Sequence, residues 1–112
     1  MKAKIKIIKQ SGTGWVSEQP NPEEFIVEVT EGTKLENISS MGATAMVKGI
    51  VNGQIVLVTN GLAPKGETLG INLMENFSDL ETIIKLGDSY KFVTQTMDVG
   101  ITYTVTLLEI SG

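Results

Sequence analysis

The run Ala45-Met46-Val47-Lys48-Gly49-Ile50-Val51-Asn52-Gly53-Gln54-Ile55-Val56-Leu57-Val58-Thr59 decides how the chain is read. Two apolar, largely β-branched stretches flank an Asn-Gly pair. Both residues of such a pair tolerate positive φ, and the two-residue turn they make matches the twist of paired antiparallel strands. The spacing predicts strands over 45–51 and 54–59 joined by a type I′ turn at Asn52-Gly53. Ala45-Met46-Val47 and Ile55-Val56-Leu57-Val58 are apolar at consecutive positions, so both strands are expected to be central, with both faces covered.

Reading outward, period-two alternation recurs. Ala3, Ile5 and Ile7 alternate with Lys2, Lys4 and Lys6, which predicts a strand over residues 2–9. Phe25, Val27 and Val29 alternate with Glu24, Glu28 and Thr30. The first strand has a lysine face and the second a glutamate face, so antiparallel pairing would set unlike charges opposite each other, with Lys2, Lys4 and Lys6 exposed. Residues 10–22 read as a loop with a short strand near Trp15-Val16, and residues 60–70 as a second loop. After the turn Glu31-Gly32-Thr33, Leu35 and Ile38 suggest one helical turn with Thr33 as N-cap and Glu36 three residues on. A short strand is expected near Ile71-Asn72-Leu73. Ser78-Asp79-Leu80-Glu81 fits a capping box, but the isoleucines of 82–86 favour a strand there. The chain closes on a hairpin: Tyr90, Phe92 and Thr94, a turn at Met97-Asp98-Val99-Gly100, then Ile101, Tyr103, Val105 and Leu107. The apolar pattern then slips to Leu108 and Ile110, which implies either a β-bulge or coverage of both faces. Coverage, including coverage by a second copy, is the expectation.

Seven or eight short strands between turn signals predict an all-β fold over residues 1–112: one antiparallel domain, a β-sandwich or a partly open barrel. Val29-Thr30-Glu31-Gly32-Thr33-Lys34-Leu35, Ile50-Val51-Asn52-Gly53 and Leu86-Gly87-Asp88 resemble motifs of the ubiquitin-like β-grasp fold and its small sulfur carriers. That resemblance makes an α+β, β-grasp-like architecture the alternative. The chain here ends in Ser111-Gly112 where those carriers have Gly-Gly, so their function is not carried over. Gly12-Thr13-Gly14 before Trp15 resembles the inhibitory loop of chagasin-type protease inhibitors, which are Ig-like sandwiches.

Composition narrows the function classes. The chain has no cysteine and no histidine, which removes thiolate nucleophiles, disulfides, cysteine zinc sites and the commonest general base. All nine basic residues are lysine and the net charge is −4, which argues against nucleic-acid binding. No apolar run is long enough to span a membrane. Met1 to Lys6 alternates lysine with apolar residues instead of forming a signal peptide, which favours the cytoplasm.

The motifs that resemble chemistry have plainer explanations. Gly61-Leu62-Ala63-Pro64-Lys65-Gly66-Glu67-Thr68 has the glycine spacing of a phosphate loop, but Glu67 stands where the lysine must be. Glu75, Asn76, Asp79 and Glu81 match no calcium-loop spacing. Ser89 and Lys91 share a strand face without a nucleophile's supporting partners. No catalytic residue, cofactor site or metal site is therefore expected. The leading expectation is a non-enzymatic binding or structural module with a protein partner or self-association. One alternative is an inhibitor inserting a loop into an enzyme cleft, with Gly12, Thr13, Gly14, Trp15, Leu62 and Pro64 in the two loops and Trp15 and Leu62 as their apolar tips. Another is a small carboxylate-dependent hydrolase. Trp15 itself is expected to be a core residue closing one end of the sandwich, with an interaction anchor as the alternative.

Overall fold

A computed structural model describes residues 1–13, 23–38, 43–64, 79–94 and 99–111. Eight strands run through them: β1 (Lys2–Thr13), β2 (Glu23–Val29), β3 (Thr44–Val51), β4 (Gln54–Asn60), β5 (Leu62–Pro64), β6 (Leu80–Lys85), β7 (Ser89–Thr94) and β8 (Val99–Ser111). They form a five-stranded sheet in the order β2-β1-β8-β7-β5 and a three-stranded sheet in the order β3-β4-β6, with every pairing antiparallel. Both sheets turn their apolar residues inward to one buried cluster. Ile5, Ile7, Phe92, Tyr103, Val105 and Leu107 of the larger sheet meet Ala45, Val47, Ile55, Leu57 and Ile84 of the smaller. The fold is a β-sandwich. No helix occurs among the described residues, and a second sheet packs where the β-grasp alternative requires a helix.

The Asn52-Gly53 turn forms as the sequence dictates, with φ of 53° and 76°. It pairs Val51 with Gln54. β6 is a strand, as the isoleucines of 82–86 favour, and the chain turns at Leu86-Gly87. That turn joins the sheets. The Leu86 N–H donates to the Gly53 carbonyl of the smaller sheet (3.0 Å), while the Gly87 N–H donates to Leu107 of the larger (2.8 Å). The other switch is tighter: β4 and β5 lie in different sheets with only Gly61 between them. Gly61 sits at φ +77°, a backbone conformation that residues with a side chain rarely adopt, so the joint favours glycine.

Several expectations are corrected. β1 continues to Thr13, beyond the expected 2–9, because Gly12 and Thr13 pair with Gly100 and Val99; those last two are therefore strand and not turn. There is no helical turn at 33–38. Lys34 bridges to Met46, the Leu35 N–H donates to Ala45, and Ile38 N–H closes a turn onto Leu35. Thr33 accepts the Thr30 N–H through its hydroxyl instead of capping a helix (3.0 Å). Leu35 and Ile38 are buried, so their spacing reports two contacts with the core from an irregular segment. β4 is central in its sheet, but β3 is an edge strand, closed on its far side by the Gly32–Leu35 backbone and not by another strand.

Lys2 and Lys4 are exposed and gather at Glu28: Lys4 is its cross-strand partner and the Lys2 Nζ is 3.5 Å from Oε1. Lys6 is half-buried and stands opposite Ile26, so the acid-facing pattern stops before it.

The slip at the chain's end is a β-bulge, not coverage. Ile5 pairs with Leu107 and Lys4 with Glu109, leaving Leu108 as the extra residue. Leu108 is exposed, and the shift lets Ile110 return to the core side opposite Ala3. β3 does the same at Lys48: Val47 pairs with Leu57 and Gly49 with Val56, which returns Ile50 to the core. Each bulge moves one residue outward so that the apolar set stays inside. The expected strands near Trp15 and near Ile71, and the turn residues Met97 and Asp98, lie outside the described residues. No helix among the described residues is long and apolar enough to cross a membrane.

Candidate functional site

The outer faces of the two sheets differ in chemistry because their strands differ in what alternates with the core. On the larger sheet the core residues of β8 alternate with Thr102, Thr104 and Thr106, and those of β1 with Lys2, Lys4 and Lys6. Cross-strand registry aligns Thr106 with Ser89 and Thr104 with Lys91. The Ser89 and Thr106 hydroxyls are 2.6 Å apart. That face is largely polar, with Ile26 opposite Lys6 and Leu108 at the bulge as its exposed large apolar residues among those described.

On the smaller sheet the core residues alternate with further apolar ones. Registry lines up Met46, Val58 and Glu81 in one row, Val56 and Ile83 in the next, and Val51, Gln54 and Lys85 in the third. Met46 is 40% exposed, Val51 47% and Ile83 56%, with Val56 and Val58 half-buried between them. Over this surface the Lys48 ammonium reaches across β4 to the Glu81 carboxylate at 2.8 Å. Both side chains are more than half exposed (56% and 53%), so the pair contributes only a fraction of a kcal/mol, about 0.2–1.

The apolar rows run into a groove of about 270 Å³ lined by Lys34, Thr44, Ala45, Met46, Val58, Asn60 and Asp79. The Asn60 side-chain oxygen accepts the Asp79 N–H (2.8 Å) and holds Asp79 at φ 52°, a conformation that Asp tolerates better than most residues. The groove thus has an apolar floor from Met46 and Val58, with one cation and one anion among its lining residues.

The loop residues singled out from sequence fare differently. Leu62 is fully buried in β5, in the core cluster, so it is not the apolar tip of a loop. Pro64 ends β5 opposite Phe92, and Gly12 and Thr13 end β1. Gly14 and Trp15 lie outside the described residues. Registry through β7 and β8 sets Ala63 level with Gln10 and Pro64 level with Lys9, so β5 lies at the same end of the larger sheet as Gly12 and Thr13, with β8 and β7 between them and the two strands running in opposite directions. Met46, Val58 and Ile83 escaped the sequence reading, although their signal was present. Apolar residues on both faces of β3 and β4 predict burial on both faces, whereas Met46 and Ile83 lie exposed on the outer one.

No protein-family model matches the chain, and neither does any curated protein or solved structure.

Proposed function

We propose that the protein is a non-catalytic binding module whose smaller sheet presents its outer face to another protein. The observation that supports this is the contiguous apolar surface formed by exposed Met46 and Ile83 with half-buried Val58 and Val56 between them, ending in the groove beside Lys34 and Asp79. Contiguous apolar surface with a polar rim is the usual mark of an interaction site. The groove favours a partner that lays a leucine- or phenylalanine-sized side chain over Met46 and Val58, flanked by one acidic and one basic group to meet Lys34 and Asp79. A photo-crosslinking residue at Met46 tests this in the native host, with one at Thr104 on the opposite face as control. The expected result is an adduct specific to position 46, whose purified partner binds Val58→Glu at least about tenfold more weakly than the unsubstituted chain. Identical adducts from both positions, or unchanged affinity of the Val58→Glu variant, would overturn the proposal.

A further inference from the structure

The outer edge of β6 pairs with no strand among the described residues. Its backbone groups can be assigned by parity. The Leu86 N–H donates to Gly53 on the β4 side. N–H and C=O of one residue point to the same side of an antiparallel strand and alternate along it. Residues 80, 82 and 84 therefore face β4, and Glu81, Ile83 and Lys85 direct their backbone groups outward. The side chains of these same three residues are exposed on the outer face.

The order Leu80-Glu81-Thr82-Ile83-Ile84-Lys85-Leu86 is self-complementary when read against itself in reverse. We propose that two copies of the protein pair through β6, antiparallel, about a two-fold axis at Ile83, joining their smaller sheets into one continuous sheet. In that register Ile83 faces Ile83 of the second copy, Glu81 faces Lys85, Lys85 faces Glu81, and Leu80 faces Leu86. All outward-directed residues meet outward-directed residues, so the ladder's parity is obeyed. Ile83 exchanges both its hydrogen bonds with its counterpart. The outermost pairs are weaker, because the Lys85 carbonyl already accepts the Asp88 N–H at 2.9 Å. Opposite charges directly across an antiparallel pair attract, and like charges repel. Both charged pairs here are attractive.

The other edges do not offer this. β3 is closed by the Gly32–Leu35 backbone. β5 ends in Pro64, which has no N–H to donate. Self-pairing of β2 about Ile26 would set Glu24 against Glu28. The dimer goes beyond the binding reading and is separable from it: pairing at the edge leaves the outer face open and brings two such faces side by side.

Sedimentation velocity of the full chain up to about 1 mM tests the proposal, because a single strand pair lies well below standard interface size and associates weakly. The unsubstituted chain should show a reversible dimer. Lys85→Glu and Glu81→Lys should each weaken it by about tenfold or more, since each turns both charged pairs repulsive. Mixed together, the two variants should regain the dimer as a heterodimer, in which every 81–85 pair is again of opposite sign. A monomer throughout the concentration range would overturn the proposal, as would variants that associate normally or a mixture no better than its components. Should either variant fail to fold, Ile83→Cys supplies the readout in a chain with no cysteine of its own. It should form a disulfide-linked dimer readily on oxidation while Thr104→Cys does not, and equal crosslinking by both would refute the register. Loss of the Val58→Glu partner effect with the dimer intact would count against the binding reading alone.

Discussion

Two edges of the sandwich are written in almost the same way. β2 reads Glu24-Phe25-Ile26-Val27-Glu28 and β6 reads Glu81-Thr82-Ile83-Ile84-Lys85. Each centres on an exposed isoleucine, Ile26 at 59% and Ile83 at 56%, with a charge two residues away on either side. They differ in the sign of one charge. Against a second copy, β2 opposes glutamate to glutamate and β6 opposes glutamate to lysine. Within the chain, β2 is matched to the lysines of β1, with Lys2 and Lys4 at Glu28. Exposed ion pairs of this kind add little to stability. Their effect is on choice: an edge strand is a template for any other strand, and charge decides which one it accepts. An acidic edge beside a lysine strand accepts its neighbour and refuses its own copy.

The largest effect that tests this comparison separates the edge isoleucines from the core ones. Ile55 is fully buried at the centre of the smaller sheet, and Ile55→Ala should cost about 2–5 kcal/mol in chemical denaturation. Ile26→Ala and Ile83→Ala should each change monomer stability by no more than about 0.5 kcal/mol. If either edge substitution destabilises the monomer as much as Ile55→Ala, that isoleucine belongs to the fold and the two edges are not equivalent.

A smaller effect follows from rewriting the sign. Glu24→Lys gives β2 the charge order of β6, reversed in direction, so that lysine opposes Glu28 of a second copy. With both edges self-complementary, association no longer stops at a dimer and extends into chains of molecules. Light scattering should rise with protein concentration for Glu24→Lys and stay flat for Glu24→Gln. Equal behaviour of the two variants would show that charge does not gate this edge.

Much of the fold was legible because the alternation of core residues survives in the sequence almost unbroken. Ile5 and Ile7, Tyr103 and Val105, and the Asn52-Gly53 turn all lie where pattern and turn chemistry put them. The errors have physical causes. Leu35 and Ile38 carry helical spacing, yet both are buried from an irregular segment whose backbone is held by β3. Leu62 sits among loop-forming residues, but Gly61 lets the chain cross directly into the other sheet and bury it. The apolar face of β3 and β4 was visible as sequence, but its openness was not. Whether Met46 and Val58 meet solvent depends on what packs above them, and no local pattern encodes that. Edges are hidden in the same way: that β6 is outermost among the described strands of its sheet follows from sheet order alone.

The smallest effect concerns Leu108, which is as exposed as Met46 at 40%. Exposure alone would make it a docking residue, and the slip in the apolar pattern taken by itself predicts that something covers it. Its surroundings argue otherwise. Leu108 is the residue expelled by the bulge, so its position is set by the need to return Ile110 to the core. The backbone next to it is committed: the Leu107 carbonyl accepts the Gly87 N–H at 2.8 Å, and the Leu107 N–H donates to the Asp88 carbonyl at 3.1 Å. β1 holds the other side. Ile83, by contrast, is flanked by backbone groups directed outward, with opposite charges on either side to fix a register. Leu108→Lys should therefore leave thermal stability within about 0.5 kcal/mol of the unsubstituted chain and the sedimentation profile unchanged. Ile83→Lys, a like change in chemistry at another exposed apolar site, should remove the dimer by placing two lysines against each other on the axis. A Leu108→Lys chain that loses association while Ile83→Lys keeps it would move the self-association surface from β6 to the bulge of β8.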